Sequence, residues 1–237
     1  MTRSRRIGVF CLGRAQAREV QGASEVLPGM TTLGQYEPFW ADFDPPHRDM
    51  DRKVAIKAFE RLMEQLPQKM QNFERILREA EVPLTGEVHA DLSAISDWFA
   101  HGARETQYSD EMVAKMRQKL IDKGTPEELV HLGITRWGID APTLSMCYYV
   151  GFYMCDRFRE VNPTCYFALA KDKRNIHYNR AALYSQAKHT EFEPVHMMKV
   201  FIYRCLAYGG WVPTGHSLAH LFDIWVDVFA GKTDEAV

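Results

Sequence analysis

Apolar residues recur at helical spacing along much of this chain. Phe59, Leu62, Met63 and Leu66 sit at i, i+3, i+4 and i+7, and Met70, Phe73, Ile76, Leu77 and Ala80 continue the stripe beyond Pro67. Proline lacks the amide hydrogen a helix interior needs, so Pro67 either kinks one long helix or begins a second. Val88, Leu92, Ile95 and Phe99 share one face and predict another helix over about 86–100. Ser109 is placed to cap a helix over 110–123, with Gly124 placed to end it. Thr125-Pro126-Glu127-Glu128 combines a capping box with proline at the first helical position and predicts a short helix to Leu132.

The pattern changes in the C-terminal half. Residues 141–158 are apolar on nearly every side (Met146, Tyr148, Tyr149, Val150, Phe152, Tyr153, Met154), which predicts a central buried helix stopped by Asn162-Pro163. Two apolar runs, 164–170 and 176–184, flank the charged turn Lys171-Asp172-Lys173-Arg174 and predict an antiparallel hairpin. Pro194 opens a helix over 195–208, with Met198, Phe201, Ile202 and Cys205 at helical spacing and Gly209-Gly210 at its end. An amphipathic helix over 215–230 closes the pattern. Near the start, 7–12 reads as a short strand, and 27–51 as an irregular stretch punctuated by Pro28-Gly29, Pro38 and Pro45-Pro46. There is no repeat and no Gly/Ser linker. The expected fold class is α+β: a predominantly helical single domain with a small antiparallel sheet, its first half helical over about 52–132 and its second half running helix, hairpin, helix, helix over about 141–230.

Composition narrows the partners. Among 237 residues, Lys+Arg number 29 and Asp+Glu 31, a net charge of −2, with no long basic run; this argues against a nucleic-acid partner, which needs clustered cations. With 13 Phe, 10 Tyr and 5 Trp the chain has ample apolar area to fold. The five cysteines (Cys11, Cys147, Cys155, Cys165, Cys205) are odd in number, scattered and without a CxxC pair, so neither a disulfide framework nor a zinc ribbon is expected, and the compartment is read as cytoplasmic. The charge-free apolar run 141–155 ends at Asp156, too short for a membrane span, and 7–13 is too short for a signal-peptide core.

Candidate chemistry is sparse. His216, His220, Asp223 and Asp227 fall at i, i+4, i+7 and i+11 on one face of the last helix. Two imidazoles a turn apart with a carboxylate are a metal-site alternative (His216, His220, Asp223), although HSLAH lacks a metalloprotease glutamate and a solvated face is the preferred reading. Cys147 lies early in its helix, where a thiolate could be favoured, yet its apolar neighbours predict a buried, inert thiol. The basic turn at Lys171–Arg174, with Asn175, His177 and Arg180 behind it, could hold an anion but reads as a solvated loop. No GxGxxG, P-loop or GxSxG pattern occurs, so no catalytic residue and no cofactor is expected. The loop Tyr36, Glu37, Phe39, Trp40, Asp42, Phe43, Asp44 interleaves rings with acids. Either it is a recognition surface for a basic partner, with Tyr36, Glu37, Phe39, Trp40, Asp42 and Asp44 as contacts, or its rings fold back onto the helices.

The order YYVGFYMCDRF, Asn162-Pro163, CYFALA, IHYNRAALY and then FEPVHMMKVFIYRCLAYG, over about 141–210, resembles bacterial immunity-type domains, which neutralise toxins delivered between competing bacteria. The resemblance implies a non-enzymatic cytoplasmic protein whose partner is a cognate toxin effector, bound so as to block it. A metal-dependent enzyme built on His216 and His220 is the alternative.

Overall fold

The computed structural model describes residues 33–42, 44–122, 124–130, 134–186 and 190–232. The chain divides into two units, 1–30 and 31–237, and every described residue belongs to the second. The strand expected at 7–12 lies outside the described residues, as do Cys11 and Phe43. What is described is mostly helical, with two small antiparallel sheets, which makes it an α+β fold.

After a 3-10 turn at Leu33–Gln35, helix α1 runs Arg52–Glu79, capped by the Asp51 carboxylate, which accepts from the Lys53 amide at 2.8 Å. Pro67 lies inside α1 without ending it. Proline in a helix interior costs about 3 kcal/mol. The same helix buries Leu62, Leu66, Met70, Phe73, Ile76 and Leu77, each worth roughly 1.5–3 kcal/mol, so burial prevails and the helix carries through. Helix α2 spans Val88–Gly102 and leads into strand β1, Glu105–Gln107. Helix α3, Asp110–Asp122, and the short α4, Glu127–Val130, follow; α3 buries none of its residues and is joined to α4 through Arg117 and Glu127 at 2.7 Å. Strand β2, Trp137–Ile139, returns to pair antiparallel with β1.

Helix α5, Ala141–Val161, is the core of the molecule. Its N-cap Asp140 accepts from the Thr143 amide at 2.8 Å, and Pro142 occupies the first turn, where no amide hydrogen is missed. Met146, Tyr149, Val150, Phe152, Met154, Cys155 and Phe158 are all buried, so the helix is surrounded, as its unbroken apolar sequence requires. Strands β3, Tyr166–Leu169, and β4, Ala181–Tyr184, form the expected hairpin, with Tyr166 opposite Tyr184 and Leu169 opposite Ala181. A third strand, β5, Glu191–Phe192, pairs with β4. Helices α6, Pro194–Ala207, and α7, Leu218–Phe229, complete the fold.

Two boundaries differ from expectation for local reasons. The second hairpin strand begins at Ala181, not at 176, because Asn179 adopts a left-handed backbone (φ 62°) and its buried side chain donates to the Met50 carbonyl and accepts from Arg52 at 2.8 Å. Side-chain bonds of this kind compete with the strand ladder. The last helix begins at Leu218, not at 215, because the Ser217 hydroxyl takes the His220 amide at 3.2 Å and makes Ser217 the cap.

One close approach organises the packing. A Cβ placed on Gly151 of α5 would lie 2.7 Å from the Pro194 carbonyl oxygen at the start of α6. Alanine is the better helix former by about 1 kcal/mol, but backbone that cannot give way makes overpacking cost about 1–3 kcal/mol. Gly151→Ala should therefore lower stability by about 1–2 kcal/mol. A urea titration should show a lower midpoint at unchanged slope; an equal or higher midpoint would disprove the close contact.

Candidate functional site

The aromatic-acidic loop folds inward at Tyr36, Phe39 and Trp40. Phe39 is fully buried, parallel to Phe152 at 5.7 Å and edge-on to Tyr149 at 5.0 Å, and its amide donates to the Ser145 hydroxyl at 2.7 Å. Tyr36 packs on Trp98 and Trp40 on Tyr148. Phe39 is thus a core residue, which corrects its reading as an exposed anchor. Aromatic area of this size is worth more inside the core than in water. The acids point outward: Glu37, Asp42 and Asp44 are exposed. Asp42 pairs with Lys69 at 3.1 Å and Asp44 faces His47 at 3.7 Å. Asp42 therefore serves a lysine whose own side chain is sunk into the protein, a role that sequence pattern does not reveal.

The last helix separates its three candidate ligands. His216 precedes the helix, and its Nδ1 meets the Arg204 guanidinium at 2.8 Å. Asp223 is held by His89 Nε2 of α2 at 2.7 Å, and His220 is exposed one turn away. Among the described residues no group of three or more His, Cys, Asp or Glu side chains could hold a metal ion. The sequence alternative built on His216, His220 and Asp223 has no geometry to carry it. Cys147, Cys155, Cys165 and Cys205 are buried, and burial pushes each thiol above its ordinary value, which leaves them protonated and poor nucleophiles. The basic turn is exposed, with Arg174 bonded to Asp172 at 3.3 Å.

Two features were not anticipated, and both belong to α6. At its N-terminus Glu193 caps the helix through the His196 amide and is buried, with Arg180 at 3.7 Å. Burial raises the Glu193 carboxyl above its ordinary value, against the opposing pull of Arg180. Beside it, Glu191 accepts from the Tyr184 hydroxyl at 2.7 Å and from Asn175, and meets His177 Nδ1 at 3.1 Å. The His177 and His196 rings lie 5.0 Å apart. Glu193, Arg180 and Lys199 line a cleft of about 150 Å³ together with Tyr148 of α5.

Towards the other end of α6, Val200, Tyr203, Ala207 and the C-cap Tyr208 fall on one helical face, with Trp137 of β2 against Tyr203 at 5.4 Å. Gly209 and Gly210 take the positive φ values (72° and 86°) that turn the chain to Trp211, which stands edge-on to His101 at 4.5 Å. Tyr208 and Trp211 are each 64% exposed, and Val200 43%. No acidic residue occurs in α6 or in 208–217, while Lys199 and Arg204 lie on the helix and Arg104 follows His101; Asp97 lies one turn before His101 and Glu105 directly after Arg104. This surface escaped the sequence pattern because α6 is apolar on both faces, so periodicity could not say which face is covered.

The titrations near Glu193 have a defined sign. Burial, then His177 and Arg180, hold His196 down at about 4. An unfolded chain binds a proton there near 6.5, so stability falls as pH drops between those values. The raised Glu193 carboxyl works the other way at the acid end, since the folded state binds its proton first. Stability by urea unfolding should fall by about 1 kcal/mol on this account between about pH 7 and pH 5, and less in His196→Gln. Equal slopes in both proteins would rule out His196 as the source.

No helix among the described residues is long and apolar enough to cross a membrane. No protein-family model, no curated protein and no solved structure matches this chain.

Proposed function

We propose that this protein acts in the cytoplasm by binding a protein partner, as the bacterial immunity domains that its C-terminal half resembles bind a cognate toxin effector, and that it docks the partner on the exposed face of α6. The observation that carries the reading is the pair Tyr208 and Trp211, both 64% exposed and held by a fixed glycine turn. Large exposed rings are unfavourable in water unless something covers them, and tryptophan and tyrosine are the residues on which binding energy concentrates. The flanking cations Arg104 and Arg204 favour a partner with an acidic rim around an apolar pocket. A face of this kind needs about 800 Å² per partner for a stable complex, which the rest of α6 and Trp137 help to supply. The basic partner expected from the loop at 36–44 loses its support, because Phe39 is in the core and Tyr36 and Trp40 pack against it.

The test is co-expression with the product of the adjacent gene, read by growth and by pull-down. The expected outcome is a toxic product that this chain binds and neutralises. Trp211→Ala and Tyr208→Ala should each weaken binding by about 30-fold, with melting temperature unchanged, while Asp44→Asn should leave binding intact. A product that neither binds nor poisons the cell, or binding lost in Asp44→Asn and kept in Trp211→Ala, would refute the assignment.

A further inference from the structure

The cleft at the start of α6 has chemistry of its own. It opens under Pro45 and Pro46, with a volume of about 150 Å³. Leu144 and Phe152 of α5 and Val195 of α6 give it carbon walls. Arg180 and Lys199 bring positive charge, Tyr148 a phenol, and Glu193 the carboxylate. Hydrogen-bond accounting in this space is unbalanced. Glu193 is already engaged, since it takes the His196 amide and faces Arg180 at 3.7 Å. The Arg180 Nε–H is buried and has no acceptor. Among the described residues the Tyr148 hydroxyl makes no hydrogen bond, and the Lys199 ammonium has no carboxylate within ion-pairing distance. Burial holds the Tyr148 phenol up at about 12, so it remains a donor at neutral pH. Donors therefore exceed acceptors around a small space that is otherwise apolar. Of these donors the Arg180 Nε–H is the buried one, and a buried donor calls for an acceptor.

The charge count fixes the sign and size of what would fit. Two cations against one carboxylate leave a single positive charge, which one negative charge balances and two would overshoot. Asp44, the acid at the rim, is exposed and turned to His47. A cavity of this volume admits a molecule about as large as benzene, and the carbon walls suit an aliphatic tail. We propose that the cleft between α5, α6 and the Pro45-Pro46 turn is a binding site for a short-chain monocarboxylate of about six non-hydrogen atoms or fewer, its carboxylate received by Lys199, Arg180 and the Tyr148 hydroxyl.

Calorimetric titration of the full chain with sodium butyrate, at constant ionic strength, is the test. It should saturate at one equivalent with Kd of about a millimolar or tighter. Lys199→Gln should weaken binding about tenfold and Tyr148→Phe severalfold, and butylammonium chloride and sodium sulfate should bind at least about tenfold more weakly than butyrate. Failure of butyrate to saturate by about 20 mM, equal binding of butylammonium, or undiminished binding in Lys199→Gln would overturn the assignment. If either variant melts well below the wild type, methyl NMR of the wild type decides. Shifts centred on Leu144 and Val195 uphold the site, and shifts elsewhere, or none, remove it.

Discussion

The approach of α6 to the middle of α5 is the constraint from which the rest of the architecture follows. Because Gly151 has no side chain, the Pro194 backbone can lie directly against α5, and the first turn of α6 is fixed there. Strand β5 ends immediately before this point, so the three-stranded sheet is tied to the same contact. Fixing the start of α6 buries Glu193, which can remain only because it caps the helix and faces Arg180. The direction of α6 is then set, and with it the place at which Tyr208 and Trp211 emerge. The two candidate functional features are thus opposite ends of one rigid element, and a displacement of that helix would disturb both.

Helical content was legible in the sequence where one face was apolar and the other polar. The stripe through Phe59, Leu62 and Leu66 marks α1, and the cap expected at Ser109 is a real boundary, with Ser109 accepting the Met112 amide. The pair β1 and β2 was not legible. Glu105, Thr106 and Gln107 are exposed and show no alternation, and their pairing with Trp137–Ile139 depends on a partner thirty residues away in the chain. The same limit applies to the site. Rings interleaved with acids look alike whether they face a partner or a core, and only the stack of Phe39 on Phe152 decides between them. The sequence marks Arg180 only as a cation behind the basic turn; its pairing with Glu193 carries no spacing signal, because the hairpin and β5 bring the two together.

Charge is used economically inside this fold. Lys69 sits on the buried face of α1 and is met by Asp42 from the preceding loop, while Arg52 donates to Asn179 and to the Ala170 carbonyl. Such pairs are poor sources of net stability, since desolvation offsets most of the attraction. Their effect is one of register: removing one member leaves the other stranded, so each holds a loop to one position on a helix. The irregular segment 36–51 is thereby fastened at Asp42 and at Met50, and Pro45 and Pro46 form one wall of the cleft.

Helix α3 is the counterpart to this fastening. It buries none of its thirteen residues, and its neighbour α4 is a single turn. Opening it exposes little apolar area, so the free energy that protects its amides lies far below that of the whole domain. Backbone hydrogens there will exchange by local opening while those of α5 wait for global unfolding. Substitutions in α3 will therefore register in protease susceptibility long before they register in the melting of the protein.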